Sequence, residues 1–357
     1  MHSENESQTT EEGVHSSVTQ HPQRQPSIKD IAKLARVSHP TVSRALQNSP
    51  LVNSKTAERI RKIAKESGYR PSAVARGLVT RRTRTIGLAV TTVADPFTSE
   101  VVSGIEQAAS DLGYCVFLAD SNADPEREKK VVQAFAEQRV DGIIVTSSRV
   151  GALHLPLLTE MRVPIVLVND QHPGSVAHSV LISNEDGMRM LTEHLIGLGH
   201  KRIAYIGDQS GYQSDTERMT GYRLALAAAG IAERREWIVL GDGKPEAALG
   251  AMTGLLELAE PPTAVCCYND MTALGALRAI HMRGLRVPDD ISVTGFDDLF
   301  LASYTDPPLT TIRQPMRHMG QLATESLVKL MTGKDSVPQI RISAEMIVRA
   351  STARARN

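Results

Sequence analysis

Residues 27–47, SIKDIAKLARVSHPTVSRALQ, decide how this chain is read. Ser27 is placed to cap a helix whose apolar positions Ile28, Ile31, Ala32, Leu34 and Ala35 fall at helical spacing. A tight turn at Arg36 and Val37 interrupts the pattern. Ser38 then offers a second cap, and Pro40 stands in the first turn, where a missing N–H costs least, ahead of Thr41, Val42, Ser43, Arg44, Ala45 and Leu46. Two short helices about a turn form a helix-turn-helix, whose second helix lies in the major groove with its early residues on base edges. His39, Pro40, Thr41 and Arg44 are expected on that face, with Val42, Ala45 and Leu46 toward the core.

Spacing alone fits a helical hairpin without a partner equally well. Charge separates the two. Between residues 27 and 85 stand fourteen Lys/Arg against three acids, Asp30, Glu58 and Glu66, in a chain of formal net charge zero. A local excess of that size is the electrostatic footprint of a polyanion partner. Ahead of it, residues 1–26 carry four glutamates, one arginine and almost nothing to bury, and are expected to be a disordered tail. Behind it, Asn53 or Ser54 caps a third helix with Ala57, Ile60, Ile63 and Ala64 on one stripe, stopped by Gly68. In the following YRPSAVARGLVTRRTRT, Ser72 could cap a short helix over 73–79, too weak to stand alone, so it reads as a hinge that orders on DNA.

The runs IKDIAKLARVSHPTVSRALQ, VNSKTAERI and GYRPSAVARGL resemble the DNA-binding head of the lactose-repressor/galactose-repressor (LacI/GalR) family of bacterial transcription regulators, and the resemblance continues to about residue 352. It implies a homodimer on a palindromic double-stranded operator. The DNA contacts it implies are Ser27, Ser38, His39, Pro40, Thr41, Ser43 and Arg44 in the helix-turn-helix, Asn53, Lys55, Thr56 and Tyr69 behind it, and Ser72, Ala75, Arg76 and Leu78 in the hinge. Leu78 would be the apolar wedge that kinks the duplex, at a cost offset by the extra contacts a bend allows.

From residue 85 the texture changes to short apolar runs alternating with helical patterns, as in parallel α/β architecture. The expected strands are TIGLAV, CVFLAD, VDGIIVTS, PIVLVN, KRIAYIG, WIVLG, TAVCCYN, ISVTGF and, last, EMIVRAS. Helices are expected over about 98–112, from Asp124 as cap and Pro125 to 138, over 185–199, around 218–229, up to 258, and over 271–284 and 316–331. The fold class is therefore an all-α helix-turn-helix head with hinge helix, followed by an α/β two-lobed domain. The resemblance implies the fold of periplasmic sugar-binding proteins. It divides the chain into a tail (1–26), head (27–71), hinge (72–84) and an effector-binding and dimerisation domain (85–352), with lobe one at about 85–181 and 316–343 and lobe two at about 182–312 and 344–352.

In open α/β sheets ligands bind beyond the carboxyl ends of the strands. Those ends carry Asp95, Ser147 and Ser148, Asn169 and Asp170, Asn269 and Asp270, and Asp297 and Asp298. The resemblance implies effector contacts at Phe97, Asn169, Arg218, Asn269 and Asp297; at Asn169 many relatives carry an Asp. The Asx residues fit turn and cap roles by spacing as well. Tyr205, Tyr212 and Trp237 fit packing as readily as binding, and His200 reads as a loop residue. The effector expected is a sugar or sugar derivative; a nucleobase corepressor or a phosphoprotein is the alternative within the family.

No GxSxG elbow, HExxH pair or phosphate loop is present, and adjacent Asp297 and Asp298 on an extended strand would point opposite ways, so an enzyme is not expected. No cofactor or metal is implied. Cys115, Cys266 and Cys267 lack metal spacing and read as reduced core residues. No run reaches a membrane span and the N-terminus lacks a signal-peptide pattern, so a cytoplasmic protein is expected rather than a periplasmic sugar-binding protein. The C-terminal TARARN offers no heptads for a tetramer.

Overall fold

The structure, a computed structural model, describes residues 26–69, 82–150, 154, 156, 160, 162–170, 178–334 and 339–356. The chain divides into a unit within residues 1–81 and a larger unit over 82–357. In the first, α1 (Ile28–Leu34), α2 (His39–Leu46) and α3 (Ser54–Glu66) close a small core of Ile31, Ala35, Val42, Ala45, Ile60 and Ala64. Ser27 and Asp30 form a reciprocal capping box, and Asn53 rather than Ser54 caps α3 by accepting from the Lys55 N–H. The turn between α1 and α2 passes through Arg36 in the left-handed region (φ 50°). Leu34, expected on the apolar stripe, is instead exposed. With Ile31 and Ala35 one turn apart on the buried face, Leu34 falls about 100° from Ala35, toward solvent.

The larger unit contains two parallel sheets. The first has the order β11-β5-β4-β3-β1-β2, with β1 Thr85–Val90, β2 Cys115–Asp120, β3 Gly142–Thr146, β4 Ile165–Val168, β5 Ser179–Ile182 and β11 Gln339–Ile342. The second has the order β7-β6-β8-β9, with β6 Ile203–Asp208, β7 Ile238–Gly241, β8 Ala264–Cys267 and β9 Ser292–Thr294. A short antiparallel pair joins β10 (Thr311–Arg313), which follows β9, to β12 (Glu345–Ile347), which follows β11. Strands β1, β3 and β4 are buried throughout, as parallel strands covered on both faces must be.

Helices α4 (Pro96–Asp111) and α5 (Pro125–Glu137) both begin with an Asp cap followed by Pro at the first position, as Asp95 and Asp124 accept from backbone N–H groups of the first turn. Further long helices of this unit are α6 (Asn184–Gly197), α7 (Gln213–Ala228), α8 (Pro245–Leu256), α9 (Asp270–Met282) and α10 (Met316–Met331). They pack as close pairs through glycine. A Cβ on Gly221 of α7 would stand 2.1 Å from the Glu185 carbonyl oxygen of α6, and one on Gly104 of α4 would stand 2.0 Å from the Arg317 carbonyl of α10. Neither backbone has anywhere to go without separating the helices. Gly221→Ala is therefore expected to lower stability by about 1–3 kcal/mol in chemical denaturation. Gly250→Ala, in α8 with nothing within 4 Å, is expected to be neutral or stabilising by about 0.5–1 kcal/mol. Equal losses in the two variants would contradict the close-packing account.

Four further differences from the expectations have physical reasons. Cys115 is exposed, because β2 is the edge of its sheet, whereas Cys266 and Cys267 are buried in central β8. His200 stands in the loop before β6, as expected, but it is buried, its ring nitrogens pairing with the hydroxyls of Thr263 and Ser292 and the Ala353 carbonyl, which ties the C-terminal segment to the second sheet. Strand β11 was not anticipated; it adds to β5 after the long helix α10. Of the expected hinge, 82–84 belong to the larger unit, with Thr83 and Arg84 donating to the Asp141 carboxylate.

Candidate functional site

On the head, α2 buries Val42 and Ala45 and leaves Ser38, His39, Pro40 and Arg44 exposed, with Thr41 and Ser43 half-buried. The sequence forces this split, because the buried pair lies three apart on one side of an eight-residue helix. Asn53 and Lys55 are exposed at the start of α3, and Thr56 is half-buried beside them. Ser27 and Asn53 spend their side-chain acceptors on helix caps, while the Ser38 hydroxyl pairs with that of Thr41 at 2.8 Å instead of capping α2. Tyr69 packs against the head core. Ser72, Ala75, Arg76 and Leu78 lie outside the described residues.

In the larger unit, the carboxyl ends of several strands carry non-glycine residues in the left-handed region: Asn122 and Ala123 after β2, Ser147 after β3, Asn169 after β4, and Asp297 and Asp298 after β9. Such conformations are costly and persist where surrounding structure fixes them, commonly at ligand sites. The chain at Asp297 and Asp298 is thus not extended (φ 130° and 57°), contrary to expectation, yet the two carboxylates still part company. Asp298 is taken by Arg313 and Arg349, a structural ion-pair cluster, and Asp297 faces Arg218.

Arg218, on α7, is 2% exposed. Its Nε donates to the Asn184 side-chain oxygen at 3.0 Å and its Nη1 to the Tyr268 carbonyl at 2.6 Å. Its guanidinium lies 3.7 Å from the Phe296 ring centroid and 4.7 Å from that of Tyr268, leaving Nη2 4.0 Å from Asp297. The bare Gly221, one turn on, is what lets α7 approach α6 closely enough for Arg218 to reach Asn184 at the start of α6. Asp297 also accepts from the Gln314 amide at 2.6 Å. Burial raises the Asp297 carboxyl well above its ordinary value; Arg218 opposes this, while the charges of Asp270 and of Asp95, from the first sheet, add to it. Burial also raises Asp95, Asp208 and Asp215, the last accepting from the Tyr205 hydroxyl at 2.8 Å.

Asp270 has its carboxyl raised to about 6, first by burial, although it accepts from the Thr311 hydroxyl and the Leu299 N–H. A carboxyl raised in the folded state binds its proton more tightly there than in the unfolded chain. Its contribution to stability is full below about 4 and is lost as pH rises through about 6, up to about 3 kcal/mol. The stability of the parent relative to Asp270→Asn is thus expected to fall between pH 4 and pH 6 in urea titrations; a difference constant with pH would contradict it.

The residues expected to bind an effector come together unequally. Arg218 and Asp297 meet. Asn169 is buried beyond β4, its backbone N–H donating to the Val180 carbonyl. Asn269 caps α9, accepting from the N–H and hydroxyl of Thr272, and one of its amide hydrogens goes to the Gly243 carbonyl, so a single N–H remains to it for a ligand. Phe97 is a core residue, 5% exposed, in a cluster that also holds Leu299 and Met271. Tyr205 and Trp237 pack in the core. Asn184, Tyr268, Phe296 and Gln314 were missed as partners of the Arg218–Asp297 pair. Asn184 could have been flagged, because it lies two residues beyond the end of β5, at the start of a helix. Among the described residues no group of three or more His, Cys, Asp or Glu side chains is placed to hold a metal ion, and no helix is long and apolar enough to cross a membrane.

Comparison with known proteins places both parts. Residues 27–72 match bacterial regulatory proteins of the lacI family, and residues 192–352 match a periplasmic binding protein-like domain. The HTH-type transcriptional repressor PurR of Aliivibrio fischeri (strain MJ11) is 39% identical, the match covering 91% of this chain and 98% of that one. The protein of the same name from Haemophilus influenzae (strain PittEE) is 36% identical over the same shares. Among solved structures, the Lac repressor dimer bound to operator and the anti-inducer ONPF matches with a TM-score of 0.85 at 30% identity, covering 92% of this chain and all of that one. The transcriptional regulator CelR–cellobiose complex matches with a TM-score of 0.70 at 33% identity, covering 91% and 99%.

Proposed function

Because this chain belongs to the lacI family of bacterial regulatory proteins and is a DNA-binding transcriptional regulator, not an enzyme, we propose that it is a cytoplasmic, homodimeric repressor of a palindromic operator, controlled by a neutral small molecule in the cleft between its sheets. The head over 27–71 reads the operator, with His39, Pro40, Thr41 and Arg44 on base edges. The hinge over 72–84 wedges Leu78 into the minor groove, and the domain over 85–352 holds the effector in its two lobes. The solved relatives with operator and with cellobiose support these two halves separately.

The observation that carries the effector reading is the buried pair of Arg218 and Asp297, with the rings of Tyr268 and Phe296 against the guanidinium. Two of the Arg218 donors are already spent on Asn184 and the Tyr268 carbonyl, which leaves little of its fork for an anionic group, whereas a carbohydrate finds acceptors, donors and the rings of Tyr268 and Phe296 close by. A nucleobase corepressor is the second reading, favoured by the relatives named PurR. A thermal-shift panel of neutral sugars, polyols, sugar acids and nucleobases separates these, since a bound ligand raises the apparent melting temperature. The expected hit is a neutral sugar or polyol. A base as sole hit replaces it with the second reading, and sugar acids as sole hits contradict both.

A further inference from the structure

Arg149 follows β3 of the first sheet, and its side chain reaches the second. Its Nη1 donates to the Ala123 carbonyl at 3.1 Å, within the first lobe. Its Nη2 donates to the Ser210 carbonyl at 2.9 Å, in the loop after β6 of the second. Its guanidinium also lies 5.2 Å from the ring centroid of Tyr212, the residue that caps α7, the helix carrying Arg218. Two contacts from one side chain, the bond to Ser210 and the guanidinium beside Tyr212, thus join the two lobes, with the bond to Ala123 anchoring it in the first.

Both ends are rigidly held. The Arg149 backbone N–H donates to buried Glu128 at 3.1 Å, and the same carboxylate takes the Ser148 hydroxyl at 2.5 Å and the His154 ring at 2.8 Å. Ala123 follows Asn122 in a turn where both are left-handed, and its N–H donates to the Thr91 carbonyl. On the far side the Ser210 N–H donates to the Asp208 carboxylate at 2.6 Å. A long flexible side chain between fixed supports makes a strut only when its supports do not yield, and here they do not.

We infer that Arg149 is a positioning residue for the regulatory change: a strut across the cleft mouth that biases the effector-free protein toward the lobe arrangement seen here. Its planar fork suits two carbonyls in two lobes, where a lysine's single ammonium would satisfy one geometry less well. The strut sets how far the population lies toward this lobe arrangement before any ligand binds, and hence how much differential affinity an effector must bring. This regulatory meaning rests on the cleft reading above; the strut itself is tested without an effector.

The test measures interlobe distance in the full-length, effector-free protein by pulsed electron resonance. Spin labels go at Lys130→Cys on α5 and Glu246→Cys on α8, both exposed, in a Cys115→Ser background diluted with unlabelled protein. Arg149→Met is expected to shift the distribution to longer distances, and Tyr212→Leu, which removes the ring but keeps the Ser210 bond, to shift it less. If Arg149→Met does not fold, Tyr212→Leu alone decides by the same shift. A distribution identical to the parent overturns the inference, and leaves the effector reading standing on its own thermal-shift result.

Discussion

Arg218→Met is expected to abolish the effector response in a reporter assay while operator binding persists, and to lower stability by about 4 kcal/mol or more. The substitution leaves the Asn184 side-chain oxygen and the Tyr268 carbonyl buried without the donor they have now, at about 1–3 kcal/mol each. It also removes a desolvated guanidinium from between two rings, a contact of about 2 kcal/mol. Asp297 would lose the charge that opposes its burial, so its carboxyl would rise further. Arg218→Lys separates fold from function: it keeps the charge but not the fork, and should fold better than Arg218→Met and still fail to respond. A normal dose response in either variant removes Arg218 from the effector site.

Arg44→Ala is expected to leave the fold untouched, since the side chain is exposed on α2. A bidentate arginine contact to a base is worth about 1–3 kcal/mol per half-site, so the pair of half-sites loses at least about thirtyfold in operator affinity. Effector binding is expected to stay at the parent value. Gel-shift titration at one fixed salt concentration measures it, because the phosphate part of the affinity moves steeply with salt. Equal affinity for parent and variant would refute the placement of α2 on the bases.

Where local chemistry dictates structure, the sequence is easily read. Asp95-Pro96 and Asp124-Pro125 announce the helices they start, and the fourteen cations of residues 27–85 announce DNA. The short edge strands are harder. Gln339–Ile342 carries two charged or polar residues in four and is half-exposed, so nothing in its pattern distinguishes it from a loop. Asn269 shows the limit at a single residue, for a cap and a ligand contact have the same local signature, and only the bonds to Thr272 and Gly243 reveal that the cap takes most of its capacity. The arginine site was half legible. Arg218 and Asp297 could be named from family resemblance, but their supports Asn184 and Tyr268 lie 34 and 50 residues from Arg218, and no spacing rule spans that gap. Arg149 was invisible for the same reason, its partners Ala123 and Ser210 lying 26 and 61 residues away.

The central claim is that a pair of these heads reads an inverted repeat. Selection of random duplexes on the full-length protein, followed by sequencing of the bound pool, tests it most directly. The account predicts an enriched palindrome with two half-sites about a flexible central step. No enrichment, or enrichment of a single unrepeated half-site, would contradict it.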